Sequence, residues 1–163
     1  MWSSRVALAA AGLALAACGF QLRGDAPMGL ASLHLSADVA SQVAAEIRRF
    51  LAAGPTQLAA KPADAEAHLR ILAESRDKTI FTLTGAGRVY EYQLRLLVSY
   101  QLTAPGREEP LIAPSQIDVR RVVTYSESAP LAKEAEEQLL YRDMQVDAAG
   151  QILRRIALVR RGG

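Results

Sequence analysis

The run from Tyr90 to Leu102 constrains this chain more than any other stretch. Tyr90, Tyr92, Leu94, Leu96, Val98, Tyr100 and Leu102 fill its even positions, while Glu91, Gln93, Arg95, Ser99 and Gln101 fall between them. That period of two predicts a β-strand with one buried face and one polar face. At about 3.3 Å per residue it spans about 40 Å, well beyond the usual strand of about five or six residues, so the domain around it is expected to be elongated.

The preceding run, Ala67 to Leu83, also alternates, with Leu69, Ile71, Ala73, Phe81 and Leu83 on odd positions and a middle from Glu74 to Lys78 that is polar on both faces. A hairpin follows. If both apolar sets share the core, directly paired residues must have numbers with an odd sum, because a one-residue slip turns every side chain over. Leu83 with Tyr90, Phe81 with Tyr92, Ala73 with Tyr100 and Ile71 with Leu102 meet that condition and leave a loop at Gly85 to Arg88. Glycines at Gly85 and Gly87 allow the positive φ that such tips use, which accounts for them without any phosphate-binding role.

The remaining elements follow from period and punctuation. Leu30 to Ser36 reads as a short first strand, with Leu33 and Leu35 on one face and His34 on the other as a surface side chain; His68 opens the next strand and is also expected at the surface. Val39, Val43, Ile47, Phe50 and Leu51 form an apolar stripe of helical period, with Asp38 as N-cap and Gly54-Pro55 as stop. Ile117, Val119, Val123 and Tyr125 share a strand face that Arg121 interrupts, either snorkelling at a sheet margin or placed for a ligand. Pro114 predicts a late start or an edge position for that strand. A final helix starts near Ser128 or Ala129 with Pro130 in its first turn, carries Leu131, Ala135, Leu139, Val146, Ala149, Leu153 and Ile156 on one stripe, and reaches Val159. Gly150 is a candidate bend within it.

Upstream, Arg5 and the apolar run Val6 to Ala17 have the layout of an export signal, too short for a bilayer span of roughly 20 residues. Ala16-Ala17-Cys18-Gly19 resembles a bacterial lipobox, with Cys18 as the lipidated residue; the alternative is an ordinary signal with a chance Cys at its cleavage site. Cys18 is the only cysteine, so an internal disulfide is excluded. Residues 1–17 are then a lipoprotein signal peptide, 18–29 a lipidated tether and 30–160 a single domain. A formal charge of +2 gives no reason to expect nucleic acid. With two histidines, no His/Cys cluster, no phosphate loop and no nucleotide-binding glycine motif, the chain offers no catalytic set and implies no cofactor or metal. Binding or assembly is the reading that remains.

Taken in order, Cys18-Gly19-Phe20-Gln21-Leu22-Arg23-Gly24, the helix, the hairpin with Tyr90-Glu91-Tyr92-Gln93-Leu94, the strand with Arg120 and Arg121, Leu131-Ala132-Lys133-Glu134-Ala135-Glu136-Glu137 and Gln151-Ile152-Leu153-Arg154-Arg155-Ile156 resemble the LptE family of lipopolysaccharide-assembly lipoproteins. The resemblance implies an α+β fold, two helices packed on one face of a roughly four-stranded, largely antiparallel or mixed sheet. It implies a non-enzymatic outer-membrane lipoprotein, held by its lipid on the periplasmic side, that plugs and helps assemble an LptD-like β-barrel and binds lipopolysaccharide. It also associates Lys133 with that ligand. The family's second base lies at the hairpin tip, where this chain has Gly85; Arg88 is the substitute, with Arg120 and Arg121 as further candidates. A chaperone or pilotin for another secreted assembly is the alternative function.

Overall fold

The long alternating run forms the strand Val89–Thr103, β4, which pairs antiparallel with Ala67–Leu83, β3, and with Ile112–Thr124, β5. The short strand Ser32–Ser36, β1, lies parallel to β3, and the two-residue strand Gln57–Leu58, β2, lies parallel to β1. Sheet order is therefore β2-β1-β3-β4-β5. This computed structural model describes residues 28–126 and 128–161; the expected export signal, Cys18, the expected tether as far as Pro27, Glu127 and the closing Gly162-Gly163 lie outside the described residues.

A parallel pair needs a crossover, and the helix Gln42–Ala53, α1, supplies it between β1 and β3. The second helix, Pro130–Arg161 or α2, has 32 residues and is about 48 Å long, matched to β4 at about 50 Å. Both helices join one core with the even-numbered side of β4: Val43, Ala44 and Ile47 from α1, and Met144, Ala148 and Ile152 from α2, close over Leu94, Leu96, Val98, Tyr100 and Leu102. The expected α+β architecture holds, with β2 as a fifth strand. Pro114 lies in β5, at the sheet edge, where a missing N–H breaks no ladder bond.

Local details depart from the sequence expectation for identifiable reasons. α1 is capped by Ser41 rather than Asp38. The Ser41 hydroxyl accepts from the Ala44 amide at 3.1 Å and donates to Glu74 Oε2 at 2.7 Å, and the same carboxylate oxygen accepts from the Val43 amide at 3.2 Å. A residue from β3 thus completes the cap, which local sequence cannot reveal. Asp38 instead accepts from the Ala40 amide at 2.9 Å in a turn before the helix, and Val39 is fully exposed. Gly54 ends the helix as expected, its amide donating to the Leu51 carbonyl at 3.1 Å.

The hairpin register is the larger correction. Leu69 pairs with Leu102 and Ile71 with Tyr100, so the odd sum holds at this end, two residues away from the expected alignment. Leu72 is then an extra residue, and Ala73 pairs with Ser99, Glu74 with Val98, Arg76 with Leu96, Lys78 with Leu94 and Ile80 with Tyr92. A β-bulge of this kind reverses the alternation that follows it, here as far as Ile80, after which two further irregularities flank Thr82. Glu74, Arg76, Lys78 and Ile80 come to the helix side of the sheet, and Phe81 and Leu83 are exposed. At the tip Leu83 pairs with Val89, and the Thr84 amide donates to the Arg88 carbonyl at 2.7 Å, which leaves Gly85, Ala86 and Gly87 as the turn. Gly87 takes φ 76°, the left-handed conformation that needs a glycine; Gly85 does not.

The expected stripe of α2 meets the sheet only in its second half, at Ala149 and Ile156 with Leu153 packed against them; in the first half the sheet takes a neighbouring set. Tyr141, Met144, Gln145, Ala148, Ala149, Ile152, Ile156 and Ala157 are buried, whereas Leu131, Leu139 and Val146 are exposed. The helix runs through Gly150 unbroken. Gln145 Nε2 is buried without a hydrogen-bond partner. An unsatisfied buried donor costs about 1–3 kcal/mol, so Gln145→Met, similar in length and apolar, is expected to raise unfolding stability by about 1 kcal/mol, read as a higher urea midpoint at unchanged m-value.

Candidate functional site

The parts with chemical character gather at the hairpin end of the sheet, beside the first turns of α2. Lys133 Nζ donates to Thr124 Oγ1 at 2.9 Å and to Glu136 Oε2 at 2.8 Å, which ties α2 to the last residue of β5. The next residue, Tyr125, donates its amide to the Tyr90 carbonyl at 2.8 Å and stacks edge-on against Tyr92, with ring centroids 5.6 Å apart. Lys78 lies over that Tyr92 ring, 4.5 Å from its centroid, and donates to Glu137 of α2. One turn further along α2, the Tyr141 hydroxyl donates to the Asp77 carbonyl at 2.9 Å and Arg76 covers its ring at 5.2 Å. Burial pushes the Tyr141 phenol pKa up, and the neighbouring Glu137 adds to the shift.

Arg88 directly follows the hairpin turn, two residues before Tyr90, its amide donating to Thr84 Oγ1 at 3.1 Å, so it shares this end of the molecule with Lys133. The same end exposes apolar side chains: Ile80, Phe81, Leu83 and Tyr90 on the hairpin and Leu131 on α2. Cations beside an uncovered apolar surface make an amphiphilic end, suited to a ligand that carries both phosphate and hydrocarbon.

Arg120 and Arg121 do not join this group. As neighbours on one strand they point to opposite faces. Arg121 reaches the helix side and donates to Asp147 Oδ2 of α2 at 3.1 Å, a pairing that explains a base on a core face. Arg120 lies on the outer face opposite Arg95, and Asp118 accepts from both, at 2.7 Å from Arg120 Nη2 and 2.9 Å from Arg95 Nη2. The hydrogen bonds from Arg120 and Arg95 hold the Asp118 carboxyl well below the usual range, and the same carboxylate raises the Arg120 guanidinium.

His34 and His68 are half-buried rather than simply superficial, paired directly across β1 and β3 with ring centroids 4.8 Å apart. His34 Nδ1 lies 3.0 Å from the Ala59 carbonyl, and His68 Nε2 lies 2.8 Å from Ser36 Oγ. Burial, then His34 and then Arg70, lowers the His68 pKa from the usual 6.5. A depressed base binds more protons unfolded than folded at pH values below 6.5, so its contribution is complete above 6.5 and is lost as pH falls through the lower folded value. Urea midpoints should therefore decline more between pH about 7.5 and about 5.5 in the unmodified protein than in His68→Gln. Equal declines would assign the acid sensitivity elsewhere.

Among the described residues no group of three or more His, Cys, Asp or Glu side chains could hold a metal ion. No described helix is long and apolar enough to cross a membrane. Beside the bulge, Leu72, Glu74 and Arg76 line an open cleft of about 540 Å³ with Asp38 and Ser41, and its Glu74 carboxylate is occupied in capping α1. Sequence reasoning missed Lys78, Glu137 and Tyr141 at the hairpin end. The available signal was the polar run Glu74 to Lys78, which no single continuous alternation explains.

The family model for LptE, described as lipopolysaccharide-assembly, matches residues 30–156. The chain belongs to the LptE family. The LPS-assembly lipoprotein LptE of Yersinia enterocolitica is 32% identical over 151 residues, a match covering 90% of this chain and 72% of that protein. The crystal structure of the rare lipoprotein B from Shewanella oneidensis superposes with a TM-score of 0.72 at 27% identity, over 80% of this chain and 97% of that one. The solution structure of a lipoprotein B from Nitrosomonas europaea gives a TM-score of 0.71 at 29% identity, over 85% and 90% of the respective chains. The matched span holds the whole long hairpin and α2 as far as Ile156, and with them Lys133, Arg88, Arg120 and Arg121.

Proposed function

We propose that this LptE family member is a non-enzymatic outer-membrane lipoprotein, anchored through Cys18 on the periplasmic side, that plugs and helps assemble an LptD-like β-barrel and binds lipopolysaccharide during its insertion into the outer leaflet. Family membership supports assembly of lipopolysaccharide as the process. One observation carries the ligand part: Lys133 and Arg88 stand at the same end of the sheet as the exposed Ile80, Phe81, Leu83, Tyr90 and Leu131. Phosphate groups of the glycolipid would meet the cations, and its acyl chains the apolar side chains. Arg120 and Arg121 take a secondary place in this reading, because Arg120 lies with Arg95 and Asp118 on the outer face and Arg121 reaches Asp147 further along α2.

Lys133→Glu combined with Arg88→Glu is the test. Lipopolysaccharide affinity is expected to fall about 100-fold, since two charge-assisted contacts are each replaced by a repulsive one. Circular dichroism and co-purification with the barrel should be unchanged. Unchanged lipopolysaccharide affinity in a folded double variant would refute the assignment.

A further inference from the structure

We infer that Lys78 is a second phosphate-binding cation, acting with Lys133 on the helix side of the sheet, and that Glu136 and Glu137 hold the two ammonium groups until the ligand displaces them. The inference rests on the lipopolysaccharide reading above and adds to it a residue and a competition. Strict alternation from Ile71 would turn Lys78 to the outer face; the extra residue Leu72 turns it to the helix face instead. There it approaches α2 beside the stretch that carries Lys133. Lys78 donates to Glu137 and Lys133 to Glu136, adjacent residues on α2, so each lysine on this side is matched to one neighbouring carboxylate.

A chain of contacts links the two lysines: Lys78 lies over the Tyr92 ring, Tyr92 meets Tyr125 edge-on, and Lys133 bonds Thr124, the residue before Tyr125. Both lysines remain open to solvent, Lys78 at 39% of its side-chain surface and Lys133 at 25%. An ammonium has three donors and no acceptor, so Lys78 can stay over Tyr92 while exchanging Glu137 for a phosphate oxygen. A phosphate between Lys78 and Lys133 would be bound from two elements, β3 and α2. The carboxylates keep the lysines oriented and make the empty site electrically balanced, which disfavours anions that bring no apolar part to the neighbouring hydrophobic surface.

A purely structural Lys78–Glu137 ion pair and a competitive one predict different signs. With lipopolysaccharide immobilised and the full-length protein in detergent, Lys78→Ala is expected to weaken binding about tenfold. Lys78→Arg should keep most of it, and Glu137→Gln should tighten it about threefold. Removing the phosphates from the lipopolysaccharide should erase the differences among these variants. Unchanged binding in Lys78→Ala, or weakening by both Lys78→Ala and Glu137→Gln, would overturn the inference. Lys133→Ala is the separate control: a loss there without one in Lys78→Ala leaves the ligand reading standing and removes Lys78 from it. If the unmodified protein does not bind lipopolysaccharide, both fail.

Discussion

Tyr100→Ala is expected to cost about 3–5 kcal/mol of unfolding stability, the loss typical of truncating a large core aromatic. Tyr100 is fully buried on β4, paired with Ile71 on one side and Ser115 on the other. Its hydroxyl accepts from Arg155 Nη1 of α2 at 3.2 Å, so the ring fills the core while its polar tip reaches the margin. Tyr100→Phe keeps the ring and drops only that bond to a solvent-facing arginine, and should cost about 1 kcal/mol. Urea titration of the two variants separates the contributions. Against a total stability of about 5–15 kcal/mol for a domain of this kind, the alanine variant should show a much lower midpoint and the phenylalanine variant a small shift. Equal losses would mean that the hydroxyl bond, and not packing, holds this part of the core.

The other large effect is expected at Cys18, outside the described residues. If its thiol and the new amine carry acyl chains, burial of hydrocarbon at about 0.8 kcal/mol per CH2 makes membrane attachment stable with two or more chains. Purified protein from cells that process lipoproteins should float with phospholipid vesicles in a density gradient, and Cys18→Ser should remain at the bottom. The vesicles must contain no barrel protein, since partner binding alone would retain the variant. Flotation of Cys18→Ser would move the anchor to another part of the chain.

How much of this structure was legible depended on whether the controlling contact was local. β4 was read from its own residues, because each even position from Leu94 to Leu102 faces the core. The α1 stripe and its stop at Gly54 were legible for the same reason, yet the start was misplaced to Asp38 because the completing carboxylate, Glu74, comes from another strand. On α2, Leu131, Leu139 and Val146 have the same spacing and polarity as a core stripe. Only the sheet decides that Tyr141, Met144 and Ile152 are the ones buried.

The candidate site shows the same limit more sharply. Lys133 is a candidate through family resemblance alone, and Arg121 is legible as a base on a core face, although its partner Asp147 cannot be named from sequence. For Lys78 the polar run Glu74 to Lys78 marks a break in the alternation without giving its place. The lysine's side of the sheet depends on one extra residue at Leu72, and a bulge has no compositional mark when the residue that forms it is an ordinary leucine. The hairpin tip was legible to within a residue through Gly87, whose positive φ restricts what can stand there.

The role as a barrel plug is tested most directly by mild detergent extraction of the outer membrane followed by affinity capture of the lipidated full-length chain and mass identification of what elutes with it. A large β-barrel protein is expected in stoichiometric amount, still bound after a wash at high salt and still present with Lys133→Glu and Arg88→Glu together. Elution of the chain alone, or with a secretion assembly that contains no such barrel, would contradict that role.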